Sequence, residues 1–140
     1  MAHESPELAE QAFYRAFEEA DVDGMMSIWS PIGNVLCIHP MGPALTALDV
    51  IRTSWLEIFA APANHQIDIE LISEHRADSV CVRTVIESFS VAGQGDQFAP
   101  IIATNIFWRG DGGWYLVTHH AGPARNQPLS SESPSTDTRH

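Results

Sequence analysis

The second half of the chain most constrains the fold, because its sequence predicts four consecutive β-strands joined by short turns. In the first strand Ile67, Asp68 and Ile69 alternate between apolar and polar, which is the period of a strand with one face in water. Glycine-rich tetrapeptides at 93–96 and 110–113 have the composition of hairpin turns. The predicted strands are 66–74, 79–92, 97–109 and 114–121.

The third of these strands, 97–109, is apolar on both faces. Ile101 and Phe107 lie on one face, and Ile102 and Trp108 lie on the other. A strand of this kind has to be covered on both sides, and helices of the same chain can cover only one of them. We therefore expect a homodimer in which a second subunit covers the outer face of the sheet.

Three helices and one short strand precede these four strands. Ser5 suits the N-cap of the first helix, and Asp21 precedes the second. The third begins at about Thr46, and Thr46 and Asp49 have the spacing of a capping box. The short strand is predicted at 35–38, between the second and third helices.

The first helix has one apolar face, because its apolar residues recur at helical spacing. Tyr14 lies away from the middle of that face, so it is predicted to be largely exposed. The face consists of Leu8, Ala9, Ala12, Phe13, Ala16, Phe17 and Ala20.

This order of elements predicts a single α+β domain at 1–122 with an antiparallel sheet. The segment 123–140 is polar, with almost no large apolar side chain, and we expect it to be a disordered tail. Cys37 and Cys81 lie in apolar, strand-like contexts and are expected to be buried free thiols.

Charge composition excludes several classes of partner. The chain has 18 acidic and 7 basic residues, a formal net charge of −11, and binding to nucleic acid or acidic membranes is therefore disfavoured. All basic residues are arginine, so no lysine is present to form a Schiff base. The sequence has no glycine-rich phosphate loop and no Gly-x-Ser-x-Gly elbow, so nucleotide binding and serine hydrolysis have no support. We expect no cofactor. It also has no secretory core or membrane-spanning apolar stretch, and the expected compartment is the cytoplasm.

Four sequence segments carry a family resemblance, and the matching regions together span about residues 5–122. They are FEEADVDGMMSIW at 17–29, VLCIHPMG at 35–42, IRTSWLEIF at 51–59 and WYLVTHH at 114–120. In this order the chain resembles the NTF2-like superfamily, especially its SnoaL-like and ketosteroid-isomerase-like branch. The resemblance implies a cone-shaped, curved antiparallel sheet wrapped around three N-terminal helices, as in cystatin-like folds. It also implies a pocket between sheet and helices and frequent dimers, but little about chemistry.

The residues of the steroid isomerases are not kept at the matching positions. The aspartate base of those enzymes falls on His39, and their tyrosine donor falls on Phe13, one residue before Tyr14. Their protonated aspartate donor falls near Thr104 or Asn105. The resemblance therefore does not support steroid isomerisation.

His39 is the best candidate for a general base, because an imidazole gains and loses protons near neutral pH. Asn105 or Thr104 could stabilise a developing oxygen charge. His119 and His120 are neighbours on one strand and point to opposite faces, so only one can reach the pocket; His120 is preferred. The further residues expected to line the pocket are Phe13, Phe17, Trp29, Trp55, Phe59, Arg83, Glu87 and Phe107.

Several alternatives remain open at this point. Arg83 and Glu87 share a strand face and could pair, or Arg83 could anchor an anionic ligand group. His39, one of the paired histidines and Glu87 could in principle hold a metal, but no ligand spacing supports this, and we expect none. The preferred function is an acid–base enzyme of the isomerase, cyclase, dehydratase or hydrolase type, acting on a small apolar carbonyl or epoxide compound. The alternative is a non-catalytic ligand-binding or dimerisation module.

Overall fold

The computed structural model describes residues 3–61, 65–91 and 99–124. These residues form three helices and five strands in the predicted order, which is the α+β class that the sequence indicates. The helices are α1 (Pro6–Glu19), α2 (Val22–Ile28) and α3 (Leu48–Phe59). The strands are β1 (Leu36–Ile38), β2 (His65–Arg76), β3 (Val80–Val91), β4 (Ile101–Gly110) and β5 (Gly113–Pro123).

The strands form one curved, unclosed sheet in the order β1-β5-β4-β3-β2. The four long strands are antiparallel to their neighbours, as predicted, whereas β1 runs parallel to β5. The register is irregular between Leu71 and Ser73 and between Ile106 and Phe107, and irregularities of this kind bend a strand. The inner face of the sheet packs against α1, whose Phe13 ring contacts His119 of β5.

Helix α1 begins as predicted but is rotated about its axis relative to the expectation. Ser5 Oγ accepts the Leu8 amide at 3.1 Å. The buried side is centred on Ala9 and Phe13, whereas Leu8 is 44% exposed. The prediction that Tyr14 is exposed is wrong: it is 6% exposed, because polar residues of the sheet bind its hydroxyl.

The predicted capping box of α3 does not form. The helix begins at Leu48 with Ala47 as N-cap, and no side chain caps it. Asp49 Oδ1 accepts the amide of Val50 at 2.9 Å, the next residue along, and so does not reach back to Thr46.

The hairpin predicted at 110–113 is confirmed. Gly110 pairs with Gly113 across the turn, and Gly112 has a φ of 85°, a value that favours glycine. The turn predicted at 93–96 lies outside the described residues, as does the predicted tail from 125 onward. Strand β5 runs to Pro123, one residue beyond the predicted domain boundary.

The core lies between the inner face of the sheet and the helices. Cys37 and Cys81 are buried there as free thiols, as predicted. On the outer face, Trp108 is 56% exposed. Within the described ranges, no helix has both the length and the apolar character needed to cross a membrane.

Candidate functional site

A row of residues crosses all five strands on the inner face of the sheet. Directly paired residues of neighbouring strands project from the same face, so the register alone brings these side chains together. We call this set the polar row. Its members, in order from β2 to β1, are Glu74, Arg83, Asn105, His119 and Cys37.

Helix α1 places two side chains on the polar row, one helical turn apart. Glu10 Oε1 accepts from Arg83 Nε at 2.9 Å, and Glu10 Oε2 accepts from Asn105 Nδ2 at 3.0 Å. The Tyr14 hydroxyl accepts a second bond from Asn105 Nδ2 at 3.1 Å. It donates in turn to Glu87 Oε2 at 2.5 Å. The network thus ties the helix to β3 and β4.

Arg83 is the positive centre of this network. Its Nε bonds Glu10 and its Nη1 bonds Glu74, both at 2.9 Å, while the Arg83 side chain is only 11% exposed. A buried carboxylate without a partner would be strongly destabilising. Arg83 therefore permits Glu10 to lie 5% exposed beneath the helix.

His119 closes the network on β5. Its Nδ1 lies 2.7 Å from Asn105 Oδ1, and the ring is 2% exposed. Burial lowers the pKa of His119 to about 3, because a charged imidazole would lose its hydration. The ring is therefore neutral at pH 7.

Glu87 is perturbed in the opposite direction. Its side chain lies two residues beyond Val85 on the inner face of β3 and is 2% exposed. Burial raises the pKa of Glu87 to about 7, although the hydrogen bond from Tyr14 favours the charged form. Near neutral pH this carboxyl is close to half protonated.

His39 follows the end of β1 and is half-buried beside the third helix. Its Nε2 lies 2.9 Å from Ser54 Oγ, and the ring centroid lies 4.7 Å from that of Trp55. The distance to the His119 ring centroid is 6.5 Å. Burial lowers the pKa of His39 below its ordinary value of 6.5. Two neutral imidazoles therefore face one aromatic environment.

Four of the predicted pocket residues pack with these histidines in a continuous group, which we call the ring cluster. Trp55 is at its centre, with ring centroids 5.7 Å from Phe13 and 4.9 Å from Phe17. Trp55 is fully buried, yet its Nε1 hydrogen has no partner in the described part of the chain. The ring cluster consists of Phe13, Phe17, Trp55, Phe59, His39 and His119.

The remaining aromatic residues of the predicted pocket lie elsewhere. Phe107 is fully buried in the core, where it pairs with Leu116. Trp29 lines a separate, open cavity of about 420 Å³ with Met26 and Tyr115, near the start of α3. Among the described residues, neither ring forms a ring-to-ring contact with a member of the ring cluster.

The predictions for Thr104 and His120 are wrong about the face of the sheet. The two residues pair with each other on the outer face, where Thr104 Oγ1 lies 3.4 Å from Thr84 Oγ1. His120 is exposed, and His119 is the member of the pair that points inward. The reason is the register, which sets His119 directly opposite Asn105.

Asn105 and Arg83 lie inside, but their partners differ from those predicted. Both bonds of Asn105 Nδ2 go to Glu10 and Tyr14, which leaves no free amide hydrogen for a ligand oxygen. Arg83 does not pair with Glu87, because Glu10 and Glu74 already occupy its Nε and Nη1. The same two carboxylates neutralise the charge of Arg83, so it is not available to anchor an anionic ligand group.

Sequence reasoning missed Glu10 and Tyr14, although a signal was present. Arg83, Glu87 and Asn105 all fall on one face of two adjacent strands, so buried partners were required. Glu10 and Tyr14, four residues apart, form a polar stripe beside the apolar face of α1. Matching this polar stripe of the helix to the polar residues of the two strands would have identified the network.

The conceivable metal set of His39, a neighbouring histidine and Glu87 is not assembled. Across residues 3–61, 65–91 and 99–124, no three histidine, cysteine, aspartate or glutamate side chains are grouped to hold a metal ion. Glu87 is bound to Tyr14 instead.

The fold is that of an NTF2-like domain, with the ring cluster packed between the helices and the inner face of the sheet. The family model of the SnoaL-like domain matches residues 8–125, and the chain belongs to that family, the SnoaL-like branch of the NTF2-like superfamily. No curated protein sequence matches the chain significantly.

Solved structures agree with this assignment. A proposed calcium/calmodulin-dependent protein kinase type II association domain from Thiobacillus denitrificans is 32% identical, with a TM-score of 0.85, covering 89% of this chain and 99% of its own. A proposed dehydratase of the NTF2-like family from Streptomyces avermitilis is 29% identical, with a TM-score of 0.73 and coverages of 84% and 91%. A ketosteroid isomerase-like protein from Erwinia carotovora atroseptica, 15% identical with a TM-score of 0.69 and coverages of 84% and 92%, shows the shared fold alone.

Proposed function

We propose that this SnoaL-like domain binds a small apolar carbonyl or epoxide compound and acts on it by acid–base chemistry, with His39 as general base. The observation that carries the proposal is the position of His39, half-buried and in ring contact with Trp55 at 4.7 Å. Because burial lowers the pKa of His39, its imidazole is unprotonated at pH 7 and is free to accept a proton.

The hydrogen bonds of Ser54 indicate which nitrogen is basic. The Ser54 hydroxyl donates its hydrogen to the Ile51 carbonyl at 2.7 Å. Its oxygen can then only accept from His39, so His39 Nε2 carries the ring hydrogen at 2.9 Å. The lone pair is therefore on Nδ1, which would receive the proton from the substrate.

Trp55 replaces the oxygen-stabilising residues that the sequence suggested. Thr104 lies on the outer face, and the amide hydrogens of Asn105 are already bonded. The Nε1 hydrogen of Trp55 is buried without a partner among the described residues, in a ring that contacts both histidines. A buried donor left unbonded is costly, and a ligand oxygen that accumulates negative charge would satisfy it.

A substrate that needs only one base tests this proposal. 5-Nitrobenzisoxazole is small, aromatic and apolar; removal of its C3 proton breaks the N–O bond and releases a coloured nitrophenolate. The wild-type protein should accelerate this reaction, with a rate that rises with pH and levels off above an apparent pKa below 6.5. His39→Ala should lose about 100-fold or more of the acceleration.

His120→Ala is the matched control, because it removes the same side chain from the outer face of the sheet. Its rate should equal that of the wild type. A His39→Ala protein that is folded and fully active would remove His39 from the mechanism. No acceleration by the wild type over buffer would count against an accessible base in the ring cluster.

A second candidate function is an assembly module, and two observations favour it. The Thiobacillus denitrificans relative, 32% identical, is described as an association domain. The outer face of the sheet also carries Ile102, Ile106 and the exposed Trp108. The two functions are compatible, because the ring cluster and this outer face lie on opposite sides of the sheet.

A further inference from the structure

We propose that the chain of hydrogen bonds from Arg83 through Glu10 and Asn105 holds His119 in its Nδ1–H tautomer, so that His119 Nε2 is the acceptor for a hydroxyl or other neutral donor group of the bound compound. This inference deepens the proposed function and rests on a ligand binding within the ring cluster. It assigns a positioning role to Glu10 and a binding role to His119.

The first step is the orientation of the Asn105 amide. Glu10 is ion-paired with Arg83 at 2.9 Å, and a carboxylate has no hydrogen to donate. Asn105 must therefore turn its amino group toward Glu10 Oε2, 3.0 Å away. Tyr14 is compatible with this orientation, because its hydroxyl accepts from Asn105 while it donates to Glu87.

The second step is the tautomer of His119. With the amino group of Asn105 facing the helix, its carbonyl oxygen faces His119 Nδ1 at 2.7 Å. A carbonyl oxygen only accepts, so Nδ1 carries the hydrogen. Since burial keeps the ring neutral, the lone pair is on Nε2.

The third step is the environment of that lone pair. In an imidazole ring Nε2 points away from Nδ1, and therefore away from Asn105. Within the described part of the chain no hydrogen bond reaches His119 Nε2. The nearest rings of the cluster are those of Phe13, at a centroid distance of 4.8 Å, and Trp55, at 6.2 Å.

These surroundings select the class of ligand group. An apolar site disfavours a charged group, and a buried acceptor is stabilised by a donor. Hydroxyl and enol groups meet both conditions. A ketone or ether oxygen at the same place would oppose the lone pair of His119.

The tautomer can be measured on the ligand-free protein. Two-bond proton–nitrogen correlation spectra separate the protonated nitrogen of a neutral imidazole from the nitrogen with the lone pair. In the wild type, His119 Nδ1 should give the protonated signal and Nε2 the lone-pair signal. The reverse assignment would overturn the proposal, whether or not any variant folds.

Glu10→Gln should change the tautomer. The new side chain keeps its oxygen toward Arg83 and presents its amino group to Asn105, so the Asn105 amide reverses and offers a hydrogen to His119. Tyr14 can then donate to Asn105 Oδ1 and accept from the protonated form of Glu87. Nδ1 must then accept, and the ring hydrogen moves to Nε2. Glu19→Gln is the matched control, because it makes the same change on the same helix at an exposed site.

Binding of cyclohexanol and cyclohexanone, followed by the His119 nitrogen signals, tests the ligand class. The wild type should prefer the alcohol by about three- to tenfold, the usual range for one neutral hydrogen bond. Glu10→Gln should reverse the preference, and Glu19→Gln should keep it. Equal affinities in the wild type, no binding of cyclohexanol, or a folded Glu10→Gln that retains the Nδ1–H tautomer would refute the inference.

Failure of this inference and failure of the proposed function give different results. The tautomer requires no turnover, so an inactive wild type with the predicted His119 signals removes the acid–base function alone. A wild type that consumes 5-nitrobenzisoxazole through His39 but carries the hydrogen on His119 Nε2 removes only the inference.

Discussion

The Tyr14 hydroxyl donates a 2.5 Å hydrogen bond to Glu87 Oε2, which joins the first helix to the inner face of β3. Both side chains are buried, and burial raises the pKa of Glu87 to about 7. Since burial also lowers the pKa of His119 to about 3, the interior holds two groups perturbed in opposite directions. Their effects on stability are therefore opposed.

The direction in which each group changes the stability with pH follows from proton binding by the folded and unfolded states. Glu87 keeps a proton in the folded state up to about pH 7, whereas the unfolded carboxyl loses it near pH 4.5, so its stabilising contribution is lost as the pH rises through 7. In the folded state His119 stays unprotonated down to about pH 3, whereas the unfolded ring takes up a proton below pH 6.5. Its stabilising contribution is therefore lost as the pH falls toward 3. Between pH 4.5 and 6.5 the two slopes cancel.

Glu87→Gln should leave the titration of His119 as the main source of pH-dependent stability between pH 4.5 and 6.5. The amide does not titrate, and its oxygen can still accept from Tyr14. The free energy of unfolding of this variant should therefore fall on acidification from pH 6.5 to 4.5, by about 2–3 kcal/mol more than that of the wild type. Urea unfolding at several pH values measures this. Glu57→Gln, at an exposed site on α3, should follow the wild type.

His119→Gln should give the opposite slope. Its amide can donate to Asn105 Oδ1 but cannot take up a proton, so only Glu87 remains to titrate. Stability should then rise on acidification over the same range, by about 2–3 kcal/mol relative to the wild type. The same unfolding series tests this, with His120→Gln as the exposed control. Parallel curves for His119→Gln and the wild type would contradict the lowered pKa of His119.

Arg83→Met should be among the most destabilising substitutions in the chain. It leaves Glu10 buried beside Asn105 without its positive partner, a loss of about 3–5 kcal/mol. Arg52→Met is the matched control, because Arg52 pairs with Asp23 at 3.0 Å on the surface, where a pair contributes about 0–1 kcal/mol. Denaturant unfolding midpoints of the two variants and the wild type measure the two losses of stability. Similar losses would mean that Arg83 does not neutralise a buried charge.

The doubly apolar strand β4 predicts a dimer. Light scattering should give a mass near twice 15.4 kDa, because burial of Ile102 and Ile106 against a second subunit covers the outer face. Ile106→Glu should shift the mass to that of a monomer, whereas Leu56→Glu, on the surface of α3, should leave the dimer intact. A monomeric wild type would refute the prediction.

The elements could be predicted because each signal is local. Alternation marks β2, and the turn at Asp111 and Gly112 fixes the β4–β5 hairpin. The buried side of α1 could not be predicted from apolar spacing alone. Glu10 and Tyr14 turn inward because polar side chains of β3 and β4 bind them, and that advantage exists only when helix and sheet meet.

The same distinction separates the two neighbouring histidines. The sequence by itself determined the α+β class, the order of its elements, and the fact that only one of His119 and His120 could face inward, because these follow from chain-local periods of two and 3.6 residues. Which of them does so was decided only by the tertiary structure. A shift of one residue in strand pairing exchanges the two faces, and the observed register of β4 with β5 sets His119 opposite Asn105 beneath the helices.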